Sequence, residues 1–161
     1  RLPSRDDRGV APETAVLAAS FLGPMQVAGR LAVMAAGGHL SNHGTAVGCF
    51  TGMVLAILVL MVSGATPALL ALFVMLFGGA YGTLSIVRPV IARDILGDGD
   101  FGAKYGAMAA LYLAGSASAP FLGALVWRIG GYDLVLPLLV MLAALGLSFY
   151  FAADRMARRP A

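Results

Sequence analysis

The sequence predicts an all-α membrane protein, and three observations carry that expectation. The 161 residues are 60% hydrophobic and only 12% charged, with a mean hydropathy of +0.87, whereas a soluble domain carries about 25% charged residues. The few charges are clumped, leaving 14–29, 31–87, 105–127 and 134–153 free of Asp, Glu, Lys and Arg. About 20 apolar residues in a helix cross the roughly 30 Å hydrocarbon core, so the 57-residue run must hold more than one crossing. Lipid offers backbone groups no partners, and no ten-residue segments alternate as barrel strands do, so the spans must be helices.

Five spans follow in order. Residues 1–11 read as an extracytoplasmic connector. The chain opens on Arg1, with no Met and no signal sequence, which reads as a truncated connector in a fragment of something longer. The first span covers 12–36. Turn formers at 37–44, including His39 and His43, interrupt the apolar run, and the second span covers 45–63. Ser63-Gly64-Ala65-Thr66-Pro67 interrupts it again, and Pro67 suits the start of a third span at 67–92. The fourth and fifth spans cover 104–127 and 133–153, with a tail at 154–161. Pro89, Pro120 and Pro137 fall inside or near span ends, where they bend helices. Short connections make neighbouring spans antiparallel in one bundle, and an odd number puts the termini on opposite faces.

Basic residues orient the bundle. Arg88, Arg93, Lys104, Arg155, Arg158 and Arg159 fall on one face, against Arg1, Arg5, Arg8 and Arg128 on the other. Six against four places the C-terminus in the cytoplasm, and discounting the connector sharpens the bias to six against one. Trp127 and Tyr132 sit at the opposite interface, where amphipathic rings belong. The expected location is the plasma or inner membrane.

Side chains that cost energy in lipid carry the functional signal. On the first span Gln26 and Arg30 share a face with Gly23; on the third, Tyr81, Ser85 and Arg88 do; on the fourth, Tyr105, Tyr112 and Ser116 do. The second and fifth spans have almost no polar residues in their central turns, as expected if three helices line a polar interior and two face lipid. Two readings of the arginines stay open, snorkelling or structural pairing on one side and anion or substrate contact on the other. The tyrosines and serines serve equally as glue between helices. Small residues recur at helical spacing, as Gly44, Gly48 and Gly52; Gly78 and Gly82; Gly102 and Gly106; and Gly115, Ala119 and Gly123. Such rows let backbones approach closely, for packing or for sliding.

Several chemistries are excluded. No acid lies in the middle of a span, so a proton relay within these helices is not expected. Ser116 and Ser118 have no membrane histidine to activate them, and no phosphate-cradling loop, zinc spacing or nucleic-acid motif is present. His39 and His43 lack companion ligands, and the single Cys49 forms no internal disulfide. Neither an enzyme nor a metal or cofactor protein is expected.

Gly23-Pro24-Met25-Gln26-Val27-Ala28-Gly29-Arg30, Gly78-Gly79-Ala80-Tyr81-Gly82 leading to Arg88-Pro89, Tyr105-Gly106 followed by Ala119-Pro120-Phe121-Leu122-Gly123, and Gly130-Gly131-Tyr132-Asp133 together resemble the C-terminal half of bacterial major facilitator superfamily transporters. The resemblance extends over essentially the whole chain. It implies twelve helices in two six-helix halves, cytoplasmic termini and a solute held between the halves. The five spans then look like helices eight to twelve, following a missing seventh. The family places helices eight, ten and eleven at the central cavity or its gates. By resemblance Gln26, Tyr81, Ser85, Tyr112 and Ser116 are cavity-lining candidates, and Arg30 and Arg88 are cytoplasmic gate or pairing residues. Gly48, Gly52, Gly78, Gly82, Gly115, Ala119 and Gly123 are the helix-packing candidates. The 31–39 segment departs from the family by lacking the usual acidic and basic residues.

The expected function is secondary transport of a small solute by alternating access. The expected partners are the lipid bilayer, the solute, and the missing N-terminal helices or a partner chain, with no nucleic acid. A non-transporting membrane scaffold or assembly protein is the alternative.

Overall fold

The computed structural model describes residues 12–36, 40–64 and 66–157. The predicted connector at 1–11, with Arg1, Arg5 and Arg8, lies outside the described residues, as do His39 and the 158–161 end of the tail with Arg158 and Arg159. Among the described residues four helices follow one another: α1 (Pro12–Ala35), α2 (Asn42–Ser63), α3 (Pro67–Leu96) and α4 (Phe101–Ala157). All four are long and apolar enough to cross a membrane, the architecture of a multi-pass membrane protein.

Local chemistry sets the boundaries. α2 starts three residues earlier than the predicted span at 45. Extended Ser41 caps it, its Oγ accepting from the Gly44 N–H at 3.0 Å while the Thr45 hydroxyl donates to the Ser41 carbonyl at 3.0 Å. His43 therefore sits in a helical first turn rather than in a loop. α3 begins at Pro67 and runs past 92 to Leu96, where Gly97 (φ 71°) closes it by donating its N–H to the Arg93 carbonyl. α4 starts at Phe101 rather than 104, directly after Asp100, whose φ is 50°.

The fourth and fifth predicted spans join in α4, with no loop of several residues between them. The backbone leaves helical values inside α4 at Gly130 (φ −145°, ψ 16°) and Gly131 (φ 59°, ψ −156°). The left-handed dihedral at Gly131 is open essentially to glycine alone, so this pair makes the break in two residues. Pro24, Pro89, Pro120 and Pro137 all lie inside helices.

The chain divides into two compact units, residues 1–87 and 88–161. In the first, Ala46, Cys49, Ala56 and Ile57 of α2 and Leu70, Val74, Leu84 and Val87 of α3 are buried. In the second, Ile91 and Ala92 at the end of α3 and Leu136 of α4 are buried, whereas Leu111, Leu113, Phe121, Ile129 and Phe149 are exposed. Exposed apolar side chains along a helix of this length suit lipid or further membrane helices, not water.

Candidate functional site

In the first unit α1 and α3 approach backbone to backbone, and glycine makes this possible. A Cβ on Gly29 would collide with the Gly79 carbonyl and lie 2.8 Å from the Gly79 Cα. One on Gly82 would strike the Gln26 backbone, and one on Gly78 would stand 2.6 Å from the Met25 Cβ. At the C-terminal end of this seam the buried Thr83 hydroxyl donates to the Gly29 carbonyl at 3.0 Å. Gln26, half-buried, is thereby held against α3 through its main chain, while Arg30 one turn further along is exposed. On the other side of α3, a Cβ on Gly52 would come 3.3 Å from the Ala80 Cβ.

Along α3 the rings of Phe73, Phe77 and Tyr81 stack at successive turns, with centroids 5.5 and 6.0 Å apart. Exposed Ser85 donates its hydroxyl to the Gly82 carbonyl at 2.7 Å.

The second unit holds 12 of the 19 charged residues. The Arg88 guanidinium lies over the Tyr112 ring, 4.1 Å from its centroid. Helical geometry explains the meeting. Arg88 lies about 12 Å before the end of α3 and Tyr112 about 16 Å after the start of α4. Helical side chains lean toward the N-terminus of their own helix. Arg88 therefore leans away from the 97–100 turn and Tyr112 toward it, and the two close the gap. The contact pairs Arg88 with an aromatic ring of the next helix. At the turn itself, exposed Arg93 pairs with Asp98 at 2.7 Å and Lys104 donates to the Leu96 carbonyl at 3.4 Å. Further along α4, Ser116, Gly115 and Ala119 are exposed. A Cβ built on Gly115, Gly123 or Gly48 would meet nothing within 4 Å.

One recurrent pattern escapes a search by polar stripes alone. Three serines inside helices, Ser20, Ser85 and Ser116, stand four residues before a proline, Pro24, Pro89 and Pro120; Ser63 stands likewise before Pro67 but ends α2, where its carbonyl accepts from the Thr66 N–H at 2.9 Å. Proline has no N–H to give to the carbonyl four residues back, so each serine carbonyl loses its helical donor. All three serines are exposed. Ser20, whose hydroxyl donates to the Val16 carbonyl at 2.9 Å, was missed as a candidate, and Ser-x-x-x-Pro spacing is the signal that finds it.

A groove of about 350 Å³ between α1 and α3 is lined by Leu17, Phe21, Met25, Leu70, Val74 and their neighbours, almost wholly apolar, and contains none of the predicted polar candidates. Among the described residues no group of three His, Cys, Asp or Glu could hold a metal ion. Comparison of the chain with family models, curated proteins and solved structures returns no match.

Proposed function

We propose that this chain is part of a secondary transporter of the major facilitator type, carrying a small solute by alternating access. The observation that carries the reading is the serine–proline pattern. A carbonyl stripped of its helical donor costs several kcal/mol in hydrocarbon and is tolerated where water, a neighbouring polar group or a solute restores the bond. Three such carbonyls, at Ser20, Ser85 and Ser116, fall on the stretches that carry Gln26, Tyr81, Ser85, Tyr112 and Ser116, and a fourth, at Asp133 before Pro137, falls in α4 just beyond the Gly131 break. A pathway wetted along these helices accounts for both sets at once.

In this reading the chain crosses the membrane five times. At about 1.5 Å per residue α4 would be some 85 Å long, far more than one crossing needs, and each side of the Gly130–Gly131 break is long enough for a crossing of its own. The 97–100 turn and the C-terminus then lie in the cytoplasm. Single cysteines at Ser20, Ser85 and Ser116 test the pathway in membranes of cells making the complete gene product. Labelling by a membrane-impermeant thiol reagent, blocked or enhanced by solute, is expected at each. Uptake or efflux in vesicles tests transport itself, and complete protection of all three positions in every condition refutes a wetted path.

The open row of Gly115, Ala119 and Gly123 favours the scaffold as a second reading, because a smooth face without a neighbour suits docking of another helix. A scaffold gives no flux, and Gln26→Ala and Tyr112→Ala leave its association unchanged.

A further inference from the structure

We propose that Arg88, held on the face of Tyr112, is the recognition point for a carboxylate on the transported solute, so that the substrate class is organic anions. The inference rests on the transport reading for its consequence and on the geometry of unit 88–161 for its chemistry. Stacking uses the face of a guanidinium and leaves its rim of N–H donors pointing sideways, in the plane that a carboxylate matches with two parallel hydrogen bonds. The Arg88 Cζ stands over the Tyr112 ring, 4.1 Å from its centroid. The contact removes much of the side-chain freedom that an arginine otherwise loses on binding, so the fork is preorganised.

Charge points the same way. Arg88 follows the charge-free stretch 67–87 in sequence, and the ring it meets belongs to the charge-free stretch 105–127 of α4. The next acid along α3, Asp94, lies toward the turn, in the opposite direction from the lean of the Arg88 stem. A permanent positive charge in such surroundings favours a mobile anion over a neutral or cationic solute. Tyr112 is 43% exposed, so the ring supports the guanidinium without enclosing it.

The test uses the complete gene product, purified in detergent and reconstituted in proteoliposomes. The probes are acetate, lactate, succinate and benzoate, with glycerol as the neutral control and choline as the cationic one. At least one carboxylate is expected to raise the melting temperature and to be carried. Arg88→Gln should abolish both effects, and Arg88→Lys should weaken the carboxylate by about tenfold, because the charge stays while the planar fork is lost. Tyr112→Phe should keep recognition and Tyr112→Leu should weaken it, with the ligand-free melting temperature reporting folding in each variant. Carboxylate effects that survive Arg88→Gln in a folded variant overturn the assignment, as does a panel in which no carboxylate binds or moves. Flux confined to glycerol or choline overturns the anion assignment and leaves transport standing. Arg88-dependent carboxylate binding without flux of any probe keeps the assignment and removes the transport reading.

Discussion

Arg88 rests its guanidinium on the ring of Tyr112, 4.1 Å from the centroid, and so ties the last turns of α3 to the first half of α4. A cation–π contact contributes about 0.5–1 kcal/mol at exposed sites and about 2 kcal/mol when desolvated. Because the contact needs a ring and not a hydroxyl, Tyr112→Phe should unfold in detergent close to the parent, while Tyr112→Leu should lose about 1 kcal/mol. Equal losses for both variants would show that the phenol oxygen, and not the ring face, holds the pair.

The glycine seam makes a position-specific expectation. Gly29→Ala and Gly82→Ala place a methyl group into backbone atoms of the facing helix, which cannot rotate aside. Each should cost about 1–3 kcal/mol, the range for overpacking. Gly48→Ala and Gly115→Ala meet nothing within 4 Å and should be neutral or slightly stabilising in a helix. Thermal unfolding of the four variants side by side checks the contrast, and a loss at Gly115→Ala equal to that at Gly82→Ala would refute it.

Thr83 bridges helices 54 positions apart in sequence through one hydroxyl. Thr83→Val keeps the shape and removes the donor to the Gly29 carbonyl. Interhelical hydrogen bonds in membranes average about 0.6 kcal/mol and reach about 1.7 kcal/mol. Thr83→Val should fall in that range, with Thr83→Ser restoring most of it in the same unfolding assay.

Gly131 is the residue on which the two-arm form of α4 depends. Its φ of 59° with ψ of −156° is a conformation closed to residues with a Cβ, at an order of 1–3 kcal/mol. Gly131→Ala should destabilise by that amount or, on the five-crossing reading proposed above, straighten α4 and move its C-terminal end across the membrane. A C-terminal reporter that reads the same side in wild type and in a fully stable Gly131→Ala variant would show that the dihedral is dispensable. At Gly130 the neighbour is a side chain, since an added Cβ would stand 2.8 Å from the Leu134 Cβ. Gly130→Ala should therefore destabilise as well, because no rotamer change moves a Cβ and the backbone around Leu134 must give.

The sequence by itself determined that this protein is helical and built to cross membranes, because that property is additive: four long stretches contain too few charges to stay in water. It also located the helix start at Pro67, where a missing N–H does no harm. The Ser41 cap was equally local but hidden among other turn formers, so the predicted span began three residues late. Tertiary structure alone decided which small residues have a neighbour. Gly82 and Gly115 have the same local signature, yet one faces a backbone and the other open space. Gly29 stood in view only as part of a resemblance, and its role on the seam depends on Thr83, far away in the chain. The direction of Arg88 was likewise beyond sequence, because a long side chain can serve the headgroups or the interior. The ring that Arg88 meets is carried by a different helix, and a stripe of polar residues has no means of naming its partner.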